Sequence, residues 1–116
     1  MKLEKIKNNF EFRRIYSRGA SFVSPYFVLY VLGGRQETVK MGITVSKKIG
    51  NAVSRNRAKR VITAAFRQIF PHIPSGYDYI VVARTRILTV KSTVVAESIL
   101  KLLRSADLSV NSNNNE

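Results

Sequence analysis

Between Val39 and Ile69 the apolar residues change their spacing, and that change limits the folds open to the chain. In "VKMGITV" the residues Val39, Met41, Ile43 and Val45 alternate with Lys40, Gly42 and Thr44. This is the pattern of a strand with one buried face. Farther on, Ala58, Val61, Ile62, Ala65, Phe66 and Ile69 recur at the three-and-four spacing of an amphipathic helix. Asn51 or Ser54 can cap that helix; Asn51, just after Gly50, is the preferred start, and "PHIPSG" stops it.

The remaining segments fit around this pair. Asn8 and Asn9 can cap a first helix running to about Arg18, with Phe12, Ile15 and Tyr16 on one face and Gly19 ending it in the left-handed conformation. "SFV" (Ser21 to Val23) and "YFVLYVL" (Tyr26 to Leu32) read as strands, and "GGRQE" as a turn. "YDYIVVAR", Tyr77 to Arg84, reads as a buried strand. A last helix over about Lys91 to Arg104 turns Val95, Ile99, Leu102 and Leu103 inward. The predicted order is α-β-β-β-α-β-α, an α+β two-layer sandwich of helices on one sheet. Residues 1–108 suit one domain, and "SVNSNNNE", Ser109 to Glu116, is too polar to pack and reads as a disordered tail.

Charge then narrows the function. The chain has 20 Lys+Arg against 7 Asp+Glu, a net charge of +13, which suits a polyanionic partner. From Thr38 to Tyr77, 40 residues hold eight basic side chains and no acid. A helix needing only solubility would mix signs, because like charges on one face repel. In "VSKKIGNAVSRNRAKR" the residues Lys47, Lys48, Gly50 and Asn51 feed a helix N-terminus, where free N–H groups already favour phosphate. Asn56, Lys59, Arg60 and Arg67 point broadly away from the apolar stripe.

No cysteine is present, which excludes a disulfide scaffold or a thiolate metal site. "MKLEKIKNNF" lacks the apolar core of a signal peptide, and no stretch approaches the ~18 uninterrupted apolar residues of a membrane helix. The chain therefore reads as soluble and cytoplasmic. The acids Glu4, Glu11, Glu37, Asp78, Glu97, Asp107 and Glu116 are scattered, and His72 stands alone in a Pro-flanked turn. Neither clustered carboxylates nor a histidine acid–base arrangement is there to support a stand-alone nuclease. What remains is a protein that meets a polyanion, nucleic acid or an acidic membrane surface, and does not itself cut; a ribosomal or general RNA-structuring protein with the same basic helix is the alternative to the family reading that follows.

"KKIGNAVSRNRAKR" closely resembles the arginine-asparagine-arginine signature of the bacterial ribonuclease P protein component family. "FEFRRIYSRG", "FVLYVL", "MGITVSKKIGNAVSRNR" and "YDYIVVAR" extend the resemblance over nearly the whole chain. It implies a four-stranded sheet with a left-handed βαβ crossover, against the usual right-handed rule. It implies as partners a large catalytic RNA and precursor tRNA, whose 5′ leader the two together remove, with no DNA and no membrane. The active site and its Mg2+ ions would lie in the RNA, and the protein alone would hold no cofactor. Lys47, Lys48, Asn51, Arg55, Asn56, Arg57, Lys59, Arg60 and Arg67 would face the catalytic RNA. Phe12, Arg13, Tyr16 and Tyr30 would line a cleft for the single-stranded leader. Tyr16 stands where many relatives have phenylalanine, a change that keeps a stacking ring.

Overall fold

A computed structural model describes residues 3–34 and 38–106. Strand β1 is Leu3–Lys5, followed by α1 (Asn9–Arg18), β2 (Ala20–Val23), β3 (Phe27–Gly33), β4 (Val39–Thr44), α2 (Ala52–Ile69), β5 (Tyr77–Ala83) and α3 (Ser92–Ser105). The polar tail expected over 109–116 and most of the "GGRQE" turn lie outside the described residues.

The strands form one mixed sheet in the order β1-β4-β5-β3-β2. Strand β4 runs parallel to both neighbours, β1 and β5, while β3 is antiparallel to β5 and to β2. Parallel β4 and β5 are joined through α2, so the expected β-α-β crossover is present. The sheet has five strands where four were expected. The fifth is β1, whose Leu3 and Lys5 stand opposite Val39 and Met41, extended by a hydrogen bond from Ile6 N–H to the Met41 carbonyl at 2.8 Å. Its three residues cover an edge of β4 that would otherwise carry unpaired backbone groups.

Side-chain alternation in the central strands sends two sets of residues to opposite faces. Phe27, Leu29 and Val31 of β3 join Tyr79 and Val81 of β5 in the main core. There they meet Ala58, Ile62, Ala65, Phe66 and Ile69 of α2, and Val95, Ala96, Ile99 and Leu103 of α3. Fully burying each large apolar side chain is worth about 1.5–3 kcal/mol, so this layer supplies most of the cohesion. The opposite face carries Tyr30, Leu32, Ile80 and Val82, covered by Phe12, Ile15 and Tyr16 of α1. The sandwich of α2 and α3 on the sheet thus gains a third, partial layer from α1.

Three local readings differ from expectation. Gly19 ends α1 in extended geometry, φ −80°, not left-handed. Glycine is needed there because a Cβ would lie 2.7 Å from the Ile15 carbonyl oxygen and 2.9 Å from that of Val31. Tyr26, read as the first residue of the strand ending at Leu32, instead precedes β3 and packs against the main core. Leu102 and Val61 border the core without being fully buried.

Candidate nucleic-acid interface

The segment after β4 is built to start a helix. Ser46 accepts a hydrogen bond from Lys48 N–H and opens a short 3-10 turn over Lys47–Ile49, which leaves both lysines exposed and buries Ile49. Gly50 then adopts φ +143°, a region L side chains rarely enter. The Asn51 side chain caps α2 by accepting from Ser54 N–H at 3.0 Å, as its position after Gly50 suggested. The Arg55 guanidinium donates to the Gly50 carbonyl at 2.8 Å, so this arginine braces the loop with one of its N–H groups.

Beyond that turn, Asn56, Arg57, Lys59, Arg60 and Arg67 are exposed along α2, whose buried stripe faces the sheet. Among the described residues none of these cations has a carboxylate within ion-pair distance. Val53, 74% exposed, sits at the head of the same surface. The face therefore offers uncompensated positive charge at a helix start, the arrangement that takes phosphates.

The aromatic residues form a second feature. Asn9, Phe12, Arg13 and Tyr16 of α1 face Ile43, Thr44, Val45 and Lys59 across an open groove of about 500 Å3. The Phe12 ring lies over Gly42, where a Cβ would come within 2.8 Å of it. Tyr16 shares a 2.6 Å hydrogen bond with the Thr44 hydroxyl, which fixes its ring. Phe12 and Tyr16 have centroids 6.2 Å apart, and Tyr30 meets Tyr16 edge-on at 4.9 Å and 78°. Three of the four residues predicted for a single-strand site thus line one groove. Tyr30 does not line it; half-buried, it supports Tyr16 from the sheet. Lys59, predicted for the catalytic-RNA face, stands on the groove's opposite wall and joins the two surfaces.

Spacing alone did not show what holds α1 in place. Arg14 donates to the Asp78 carboxylate at 3.2 Å, and Lys40 pairs with Glu11 at 3.4 Å. These are the two ion pairs among the described residues, and both tie α1 to the sheet. Asn8 caps α1 by accepting from Glu11 N–H, and its amide returns a hydrogen bond to the Glu11 carboxylate, each at 2.9 Å. Burial pushes the Asp78 carboxyl above its ordinary value, although Lys40 and Arg14 pull the other way. Thr44 and Asn9 also line the groove, although the sequence marked them only as a strand position and a possible helix cap; the only available signal was Thr44's place beside Gly42 on the polar side of the strand pattern. His72 is exposed, beside a separate cavity of about 290 Å3 under α3. No group of three His, Asp or Glu side chains suited to a metal gathers among the described residues.

Comparison with known proteins agrees with this fold. The family profile described as Ribonuclease P matches residues 1–107. The ribonuclease P protein component of Clostridium beijerinckii is 38% identical over 111 residues, covering 90% of this chain and 89% of that protein. The solved structure of the Staphylococcus aureus RNase P protein is 35% identical with a TM-score of 0.76, covering 93% and 99% of the two chains. The Thermotoga maritima RNase P protein is 30% identical with a TM-score of 0.77, covering 88% and 96%.

Proposed function

The chain belongs to the ribonuclease P protein component family, a protein part of a tRNA-processing ribonucleoprotein endoribonuclease with an RNA subunit, and from that premise we propose how its two surfaces divide the work. The loop at Lys47 and Lys48 and the exposed side of α2 hold the catalytic RNA. The groove between α1 and β4 holds the single-stranded 5′ leader of precursor tRNA. The observation that carries this reading is Lys59. It borders both the acid-free basic face and the ring-lined groove, so a strand in the groove lies against the RNA gripped by α2.

The physical division follows from the side chains. Arginine forks and helix N–H groups suit regular phosphates. Rings beside cations suit unpaired bases without strict sequence demands, at about 1–3 kcal/mol per stacked base. The protein supplies binding and charge neutralisation, and the bond is broken in the RNA. Among the described residues no carboxylates gather as they would around a magnesium ion, and in this reading the Mg2+ ions are held by the RNA. The setting is the cytoplasm; no helix among the described residues is long and apolar enough to cross a membrane.

Two measurements test this. Tagged protein should co-purify with one large structured RNA; recovery with ribosomal subunits would instead support the RNA-structuring alternative. In reconstituted holoenzyme, Tyr16→Ala should weaken precursor tRNA by about 1–3 kcal/mol and leave mature tRNA nearly unchanged. Equal weakening of both would place the ring in the core and the leader elsewhere.

A further inference from the structure

Strand β2 ends the sheet: among the described residues it has a strand on one side only, β3. The hairpin between them shows which of its backbone groups face outward. Ser24 N–H donates to the Phe27 carbonyl at 2.9 Å, so those two residues form a hydrogen-bonded pair. Bonded and non-bonded pairs alternate along antiparallel strands. Phe22 therefore turns its N–H and carbonyl to β3, while Ser21 and Val23 turn theirs away from the sheet. Both of these residues are exposed, Val23 at 64%. No charge or proline stands within "ASFV", and no bulge interrupts its register with β3, so nothing within the strand blunts the edge. Cations bracket it instead. Arg18, in the last turn of α1, stands at one end. At the other, the Arg84 guanidinium reaches across the start of β3 to the Ser24 carbonyl at 3.2 Å. Both arginines are exposed, and neither has a carboxylate partner among the described residues.

We infer that β2 takes an extended, acidic segment of a partner protein as an added strand. Backbone pairing with Ser21 and Val23 supplies the affinity, and the two arginines select carboxylates. About five residues at ~3.3 Å each separate Arg18 from Ser24, so the partner's acids stand about five positions apart. Two other occupants fit less well. A second copy, paired antiparallel about Phe22, would set Arg18 of each chain against Arg84 of the other, with like charges facing at both ends. RNA brings only acceptors in its phosphates, whereas this edge presents the carbonyls of Ser21 and Val23 beside their N–H groups. The Phe22 ring packs on the main core and is not free to stack on a base. The edge is also distant from the basic loop. β5 and β3 lie between β4 and β2, a distance of about 14 Å at ~4.8 Å per strand, beyond the ~8 Å screening length of physiological salt. An added strand therefore leaves the basic face of α2 open to RNA.

The probe is a labelled peptide of about ten residues, with valine and threonine alternating between two glutamates about five positions apart. A second peptide carries lysines in their place. Fluorescence anisotropy with reconstituted holoenzyme at physiological salt should show the acidic peptide bound at least tenfold more tightly than the basic one. Amide exchange at Ser21 and Val23 should slow with that peptide bound, and exchange at Phe22 should not change. Ser21→Pro removes an outward N–H that the sheet does not use, and should abolish binding with the circular dichroism unchanged. If that variant does not fold, Arg18→Glu carries the test and should weaken the acidic peptide several-fold. Equal binding of both peptides, full binding by both variants, or slowed exchange on α2 in place of β2 would each overturn the inference. A concentration-dependent dimer that Ser21→Pro dissolves would overturn it in favour of a second copy. A short single-stranded RNA that slows exchange at Ser21 and Val23 would overturn it in favour of nucleic acid.

Discussion

Asp78 is a buried charge that lowers stability and still has a structural use. Its carboxylate pairs with Arg14, yet burial raises its pKa above the ordinary 3.8. The folded state therefore binds that proton more tightly than the unfolded chain does. The stability contributed by this group is fully present below about pH 3.8 and is lost as pH rises through the folded value. Asp78→Asn should thus leave neutral-pH stability within about 1 kcal/mol of the parent or slightly higher. The parent should lose ground to the variant as pH rises through that window, measured by urea unfolding across a pH series. Leader affinity should still fall, because α1 loses one of its two ion pairs to the sheet. Gly42 makes the same point sterically. Its place on the polar side of β4 was legible from alternation, but the Phe12 ring 2.8 Å from a would-be Cβ was not, since nothing local encodes a partner thirty residues away. Gly42→Ala should displace that ring, cost about 1–3 kcal/mol in thermal unfolding, and weaken precursor tRNA more than mature tRNA.

Elements were legible in proportion to their length. The eighteen residues of α2 repeat the three-and-four spacing enough times to fix its buried face, and Gly50-Asn51 marked its start. β1 was not legible, because "LEK" offers a single apolar residue and period two cannot be recognised over three positions. Its strand character comes from the open edge of β4, which is a property of the sheet. The cap of α2 can be tested directly. Asn51→Ala should cost about 1 kcal/mol of stability through the lost bond to Ser54 N–H, read from the midpoint of denaturant unfolding. Arg57→Ala and Arg60→Ala should leave the circular dichroism unchanged, because both side chains are exposed. Each should weaken catalytic-RNA binding and flatten its salt dependence by about one phosphate contact.

Over the whole molecule, charge is sorted by place. Both ion pairs lie under α1 toward the starts of β4 and β5, while the loop and α2 carry cations without acids. Composition showed the excess of +13, but the sorting emerges only when the sheet brings Lys40 to Glu11 and Asp78 to Arg14. Self-repulsion on the basic face opposes the free fold. Moderate sulfate or saturating catalytic RNA should therefore raise the melting temperature, whereas Glu11→Gln, which leaves one more cation unpaired, should lower it slightly. Purified protein without RNA should not cleave precursor tRNA at any magnesium concentration. Cleavage that follows the RNA-free protein through successive columns would return the nuclease reading.

The strand order also sets a timetable for synthesis. β5 is the one strand that touches both halves of the sheet, β4 on one side and β3 on the other. Until Tyr77–Ala83 leaves the ribosome, the β2–β3 hairpin and the β1–β4 pair have nothing to join them. α2 is complete at Ile69, before that strand exists. At roughly 5–20 residues per second, its apolar stripe and its cations wait together for about one to three seconds. A pause in translation just ahead of Tyr77 would prolong the interval in which a nascent chain, already carrying the cations of α2, has no complete sheet to cover that helix.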